Sequence, residues 1–273
     1  MTSAFLPKGL AWTGPFFAAA LLGLGPAKAD ERTYAYQVAW GHLTLAEAHV
    51  DYQEDQDRYH LESRGETKGF LAMFFSWQGE AETHGRFIEG QRQPQRHNHL
   101  GMWEERTRQT QVTWPDDGKS PVTQNQPAPN LEEVTPVPAE SLAGTVDPFS
   151  LLLTTMDRLA RDGRCAGAAK LWDGRRRYDL EILHLGEEEL ISDRPWAYQG
   201  PAVICSFKAN RIGGFWRDNE EWREAQENES TPPKVWAAQI EPGEWAIVRA
   251  EVETPYGTVV ARLLPEGGLD SSS

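Results

Sequence analysis

Residues 34–67, "YAYQVAWGHLTLAEAHVDYQEDQDRYHLESRGET", decide the fold. Tyr34, Tyr36, Val38 and Trp40 recur with period two, so they share one face of a strand. After Gly41 the apolar parity changes, from Leu43 and Leu45 to Ala46, Ala48, Val50 and Tyr52. One extra residue in the strand accounts for this, so a β-bulge is expected near residue 45. The polar run "QEDQD" at 53–57 turns the chain, and Tyr59, Leu61 and Ser63 return in register. Three strands joined by short turns form an antiparallel meander.

The alternation continues on both sides of one interruption. In "KGFLAMFFSW" (68–77), Phe70, Leu71, Phe74, Phe75 and Trp77 fit helical spacing, which reads as a buried core helix or as an apolar lid contacting a ligand. Strand character resumes in "QGEAETHGRF" and "PQRHNHLGMWEERTRQTQVTW". Residues 115–146 are proline-rich and aperiodic, which reads as a long loop. Asp147 before Pro148 is an N-cap followed by proline at the first helical position. Leu151, Leu152, Met156 and Leu159 form the stripe of that helix, and Gly163 ends it. Further strands follow, broken by a charged insertion at 217–234 and by turns at 242–243 and 255–257. The expected class is mainly β. It is a single domain over 30–270, with a strongly curved antiparallel sheet (open barrel or β-spiral) and one or two helices on its concave face.

The first 29 residues read as an export signal. They carry Lys8, an apolar run from about Leu10 to Leu24 and the small-x-small site Ala27-Lys28-Ala29, with no acidic residue. The run is short for a membrane anchor, which needs about 20 apolar residues. A periplasmic protein without an integral span is therefore expected. The formal charge is -14. Loss of 1–29 would remove two lysines and no acid, leaving -16. Such a balance argues against nucleic acid as a partner. Cys165 and Cys205 are the two cysteines, and in an oxidising compartment they most simply form one disulfide.

Catalytic signals are thin. There is no G-x-S-x-G elbow, phosphate loop or dinucleotide fingerprint, and no catalytic residue or cofactor is implied. His97 and His99 share a strand face, but no further ligand cluster is evident; His42, His49, His60 and His84 read as isolated, so no metal site is expected. Ten of eleven tryptophans lie beyond residue 29, and they either fill a core or line an apolar groove.

Several motifs together resemble a known family. They are the opening "YAYQVAWG", the "AEA" of the second strand, "KGFLAMFFSW", "VDPFSLLL" and "DGRRRYDL". They are similar, over nearly the whole chain beyond the signal, to the bacterial domain of unknown function thirty-one-oh-eight. Ala46 stands where that pattern has glycine, which weakens the case for a bulge there. The family resembles periplasmic β-spiral envelope-integrity proteins and, more distantly, open-barrel lipoprotein carriers. That resemblance implies a curved sheet around helices with an apolar concave face, and it implies no catalytic residues.

The functional expectation is a non-enzymatic periplasmic envelope protein. It would bind a lipid, lipoprotein or hydrophobic peptide through Phe70, Phe74, Trp77, Trp172, Arg176 and Tyr178. A structural or interaction protein with a filled core, and an envelope hydrolase or transferase, are the alternatives. In "LWDGRRRYDLEI" (171–182), Asp173-Gly174 reads as a two-residue hairpin turn with Arg175 opening the next strand. Alternation then sends Arg175 and Arg177 to solvent with Asp179 and Glu181. Arg176 points inward with Tyr178, Leu180 and Ile182, as an anion anchor at the mouth of a groove or as one half of an ion pair.

Overall fold

The computed structural model describes residues 30–104, 106–217 and 231–265. The expected export signal at 1–29 and residues 218–230 of the charged insertion at 217–234 lie outside them. Within the described residues, thirteen strands form one antiparallel sheet. The first seven are β1 (Asp30–Trp40), β2 (Leu43–Glu54), β3 (Arg58–Thr67), β4 (Trp77–Ile88), β5 (Gln91–Trp103), β6 (Arg106–Thr113) and β7 (Val122–Gln126). After α1 (Pro148–Asp162) come β8 (Gly167–Trp172), β9 (Arg177–Leu190), β10 (Gly200–Gly213), β11 (Lys234–Glu241), β12 (Glu244–Thr254) and β13 (Gly257–Leu263). Each strand pairs with its sequence neighbour within β1–β7 and within β8–β13, and β1 pairs with β13. The free edges are therefore β7 and β8.

The expected bulge is present. Val38 pairs with Ala46 and Ala39 with Thr44, so Leu45 is the extra residue, despite alanine at 46. The β3 parity also holds, with Tyr59 and Leu61 buried on the inner face.

The two edges meet at a seam made by side chains. Trp172 Nε1 donates to Thr123 Oγ1 at 3.0 Å, and Asn125 Nδ2 donates to the Gly174 carbonyl at 2.8 Å. Arg175 Nε donates to Thr110 Oγ1 at 3.0 Å, and its Nη2 to the Pro127 carbonyl at 3.1 Å. Gly174 lies at φ 88°, and a Cβ there would overlap Thr110 and Val112 of β6, so glycine serves both the turn and the close approach. The outer edge of β8 is also capped by residue 146: Val146 N bonds the Lys170 carbonyl, and Trp172 N bonds the Val146 carbonyl.

Inside the curl lies α1, bounded as its sequence requires. Asp147 Oδ1 accepts from the Phe149 and Ser150 amides, and Gly163 closes the helix in the left-handed region at φ 65°. Its buried stripe, Leu151 and Leu159, packs on Leu180, Ile182, Val203 and Ala237 around the Cys165–Cys205 disulfide. A second cluster of Leu190, Ala202, Trp236, Ala238 and Val248 is the other main core over β9–β12.

Three expectations are corrected. The apolar segment 68–77 is not a core helix; it holds a short 3₁₀ turn, Gly69–Met73, with no buried residue, and Phe70, Met73 and Phe74 are exposed. α1 is thus the one α-helix among the described residues. The segment 115–146 is not a plain loop, since it supplies edge strand β7 and a second 3₁₀ turn, Ala139–Leu142. Third, the turn after β8 has four residues, 173–176, rather than two. Asp173 Oδ1 takes the amides of Arg175 and Arg176, and Trp172 pairs with Arg177.

Candidate functional site

The helix N-terminus sits on a buried polar knot. Asp147, Ser150 and Thr83 are fully buried, and Tyr59 and His97 nearly so. Thr83 Oγ1 donates to Asp147 Oδ1 at 2.8 Å and lies 2.8 Å from His97 Nδ1; Ser150 Oγ bonds Asp147 Oδ2 and lies 2.7 Å from the Tyr59 hydroxyl. The Tyr59 ring lies across Gly85, the inner-face glycine whose Cβ would overlap it. Although Ser, His and Asp all occur here, Ser150 bonds the carboxylate directly and His97 sits beyond Thr83. The knot is therefore not arranged as a nucleophile with its base.

Burial lowers the His97 pKa against the opposing pull of Asp147, and burial followed by the neighbouring His97 lowers that of His99. A depressed folded value means the unfolded chain binds the extra proton first, so stability falls as pH drops through the ordinary histidine value near 6.5. The loss stops growing once pH passes the depressed folded value. We expect the urea midpoint to fall between pH 7.5 and 5.5, and His97→Gln to flatten that fall. Equal slopes in the two proteins would contradict the assignment.

Above the knot opens a cavity of about 530 Å³, lined by Ala81, His97, His99, Phe149 and Trp216 together with Arg108, Arg175 and Arg176. A neighbouring hollow of about 380 Å³ shares His99 and Arg108 and continues past Gly101 to Trp77, Trp103 and Arg106. The inner wall is made of small residues by strand register: Gly65 faces Gly79, which faces Gly101, and Ala81 faces His99. Trp77 lies against Gly65 and Gly79. Beyond it the rim carries exposed Phe70, Phe74 and Trp103, with Phe75 edge-on to Trp103 at 4.2 Å. Burial first, then Arg108, pushes the Arg175 guanidinium below its ordinary value. The carboxylates of Glu133 and Asp173 line the same cavity as the three arginines.

A second cavity of about 310 Å³ lies on the other flank of α1, between Leu152, Leu153 and Met156 and the strand residues Tyr34, Tyr36, Val50, Trp245 and Ile247. Its walls are mostly apolar. Burial raises the pKa of Tyr34 and Tyr36, and the Glu244 carboxylate adds to the effect on Tyr34, whose hydroxyl it accepts at 2.6 Å. Arg92 stands at its base, paired with Asp157 of α1 at 2.6 and 2.9 Å and with Glu54 at 2.7 Å, its guanidinium 4.7 Å from the Phe87 ring centroid.

Residues 35–264 match the family described as "Protein of unknown function (DUF3108)". The chain belongs to this family. No curated protein matches it. Among solved structures it is similar to a beta-barrel-like protein of the domain of unknown function DUF1849 from Brucella abortus. That similarity is at 10% identity, over 90% of this chain and 99% of that one, with a TM-score of 0.46.

The six residues expected to bind a ligand are not brought together. Arg176 lines the upper cavity and Trp77 the hollow beside it. Phe70 and Phe74 are at the rim, while Trp172 is buried in the seam. Tyr178 packs against the disulfide core and edge-on to Phe215. The arginine assignment is also corrected. Arg176 belongs to the turn and is exposed, not inward. Arg177 shares the outer parity of Asp179 but is 1% exposed, because the 3₁₀ turn at 139–142 covers it; its Nε donates to the Ser141 carbonyl at 2.8 Å. Half-buried Arg175 reaches the seam rather than solvent. Sequence reading missed Arg108 and Arg92, whose only signal is an arginine at an inward position of a strand. No helix among the described residues is long and apolar enough to cross a membrane.

Proposed function

We propose that this protein is a non-enzymatic periplasmic binder of an anionic amphiphile, such as a lipid or a lipidated or hydrophobic peptide, held in the chamber above α1. The observation that supports this most is the composition of that chamber. Three arginines outnumber the two carboxylates, Glu133 and Asp173, that line the same cavity, in a protein with a formal charge of -14. Arginines gathered at one opening, with Arg175 half-buried among them, favour an anion between them. The adjoining walls are aromatic and small-residue surface, fit for an acyl chain or apolar side chains. The volume of about 530 Å³ falls within the usual ligand range of about 300–1,000 Å³. The exposed Phe70, Met73 and Phe74 belong to the segment before Trp77, whose Phe75 packs on Trp103, and add apolar surface at the far end of the adjoining hollow. The short export-like segment at the N-terminus supports the compartment.

The test is direct. Protein purified without detergent is extracted and the extract read by lipid mass spectrometry, and a fluorescent fatty acid is titrated in parallel. We expect an anionic amphiphile in the extract and a saturable probe signal that unlabelled dodecyl phosphate displaces. Recovery of no amphiphile, together with no probe response, would leave the filled-core interaction protein as the better reading.

A further inference from the structure

The convex face of the sheet, opposite the chamber, carries a cluster that the function above does not use. Register places His60 of β3 directly across from His84 of β4. Their rings stack at 4.2 Å between centroids and 3° between planes. Glu82 lies two residues before His84 and so shares its face. Glu82 Oε1 lies 3.1 Å from His60 Nε2 and 2.7 Å from His84 Nε2. Asn98 of β5 donates to the other carboxylate oxygen at 3.2 Å and fixes the plane of the group. One ligand atom from each of the three residues lies within 4.8 Å of the others.

We propose that His60, Glu82 and His84 form a binding site for a divalent cation of the Zn²⁺ type. Two imidazole nitrogens and one carboxylate oxygen are a donor set that zinc takes, with water in the fourth tetrahedral position. Metal–nitrogen distances of about 2.0–2.1 Å would require the two Nε2 atoms to turn toward a common centre now occupied by their shared contact with Glu82. Both rings sit on paired backbone, so this needs side-chain rotation and no strand movement. Asn98 plays the outer role that orients a ligating carboxylate. The cluster is half-exposed, so the ion can enter from solvent. His97 and His99 face the chamber and are not members.

The experiment uses the disulfide-bonded protein. Zn²⁺ is titrated against a chromophoric chelator, and the imidazole resonances are followed by ¹H–¹⁵N NMR. One equivalent should bind and shift the rings of His60 and His84 while leaving His97 in place. The His60→Ala/His84→Ala protein should take up none, and Glu82→Gln should bind at least about tenfold more weakly, the loss of one charged ligand. Unchanged thermal melts verify that the variants fold, and His60→Gln/His84→Gln serves if the alanine pair does not. No uptake by the wild-type protein would overturn the site. So would uptake that survives the double substitution.

Discussion

Asp147→Ala should destabilise the protein by about 3–5 kcal/mol, read from the urea unfolding midpoint. Losing the N-cap alone costs about 1 kcal/mol. The rest comes from what the carboxylate leaves behind. It takes bonds from the Phe149 and Ser150 amides and from the Thr83 and Ser150 hydroxyls, all in a place that water does not reach. Each buried donor left without an acceptor costs about 1–3 kcal/mol. Asp147→Asn keeps one acceptor oxygen and the cap, but loses the charge and replaces the oxygen that accepts from the Ser150 hydroxyl with an NH2 donor. It should cost about 1–2 kcal/mol, so the two variants must separate clearly. The alanine variant should also disturb the chamber floor, because Pro148 and Phe149 line it. A loss below about 1 kcal/mol for Asp147→Ala would show that the knot is not the anchor of α1.

Cys165→Ala/Cys205→Ala is the second large effect. The bridge spans 40 residues and joins the segment after α1 to β10, with a Cα–Cα distance of 6.2 Å and both cysteines fully buried. Closing a loop of that length stabilises by about 3–4 kcal/mol in the chain-entropy model. For a protein of this size the thermal midpoint should fall by roughly 10 °C. The bridge also sits in the cluster that holds Leu151 and Leu159 of the helix. Reduction of the wild-type protein should therefore loosen α1 before it loosens β2–β5, where no bridge lies. Matching melts for the reduced and oxidised proteins would contradict this.

The parts of the fold that were legible in the sequence are those with local signals. Period-two alternation placed the strands around Tyr34 and Tyr59, and a parity change located the bulge at Leu45. Asp147, Pro148 and Gly163 bounded the helix because caps are set by adjacent residues. The two cysteines left one pairing. What was not legible depends on tertiary cover. An apolar run such as 68–77 reads the same whether it fills a core or decorates a rim, since only its neighbours in space decide. Arg177 was assigned to the correct face, but residues 139–142, far away in the sequence, bury that face. The turn at 173–176 was misjudged because Asp173-Gly174 fits a two-residue turn equally well, while the Asp173 side chain instead organises a longer one. His60, Glu82 and His84 appear isolated until the β3–β4 register is known. Arg108 is an inward arginine only once the β5–β6 register, which pairs it with Gly101, is known.

The proposed function requires the arginine-lined chamber to select an anionic head group on an apolar body. Dodecyl phosphate and dodecylphosphocholine share one chain and differ in net head-group charge. Their affinities for the wild-type protein and for Arg108→Ala/Arg176→Ala, measured below micelle concentration by calorimetry, isolate that selection. The wild-type protein should prefer the phosphate by at least about tenfold, as charge-assisted bonds of about 1.5–3 kcal/mol each require. The double variant should retain the chain-dependent binding and lose the preference. Equal affinity of the wild-type protein for the two ligands, or a preference that survives in the variant, would contradict the account.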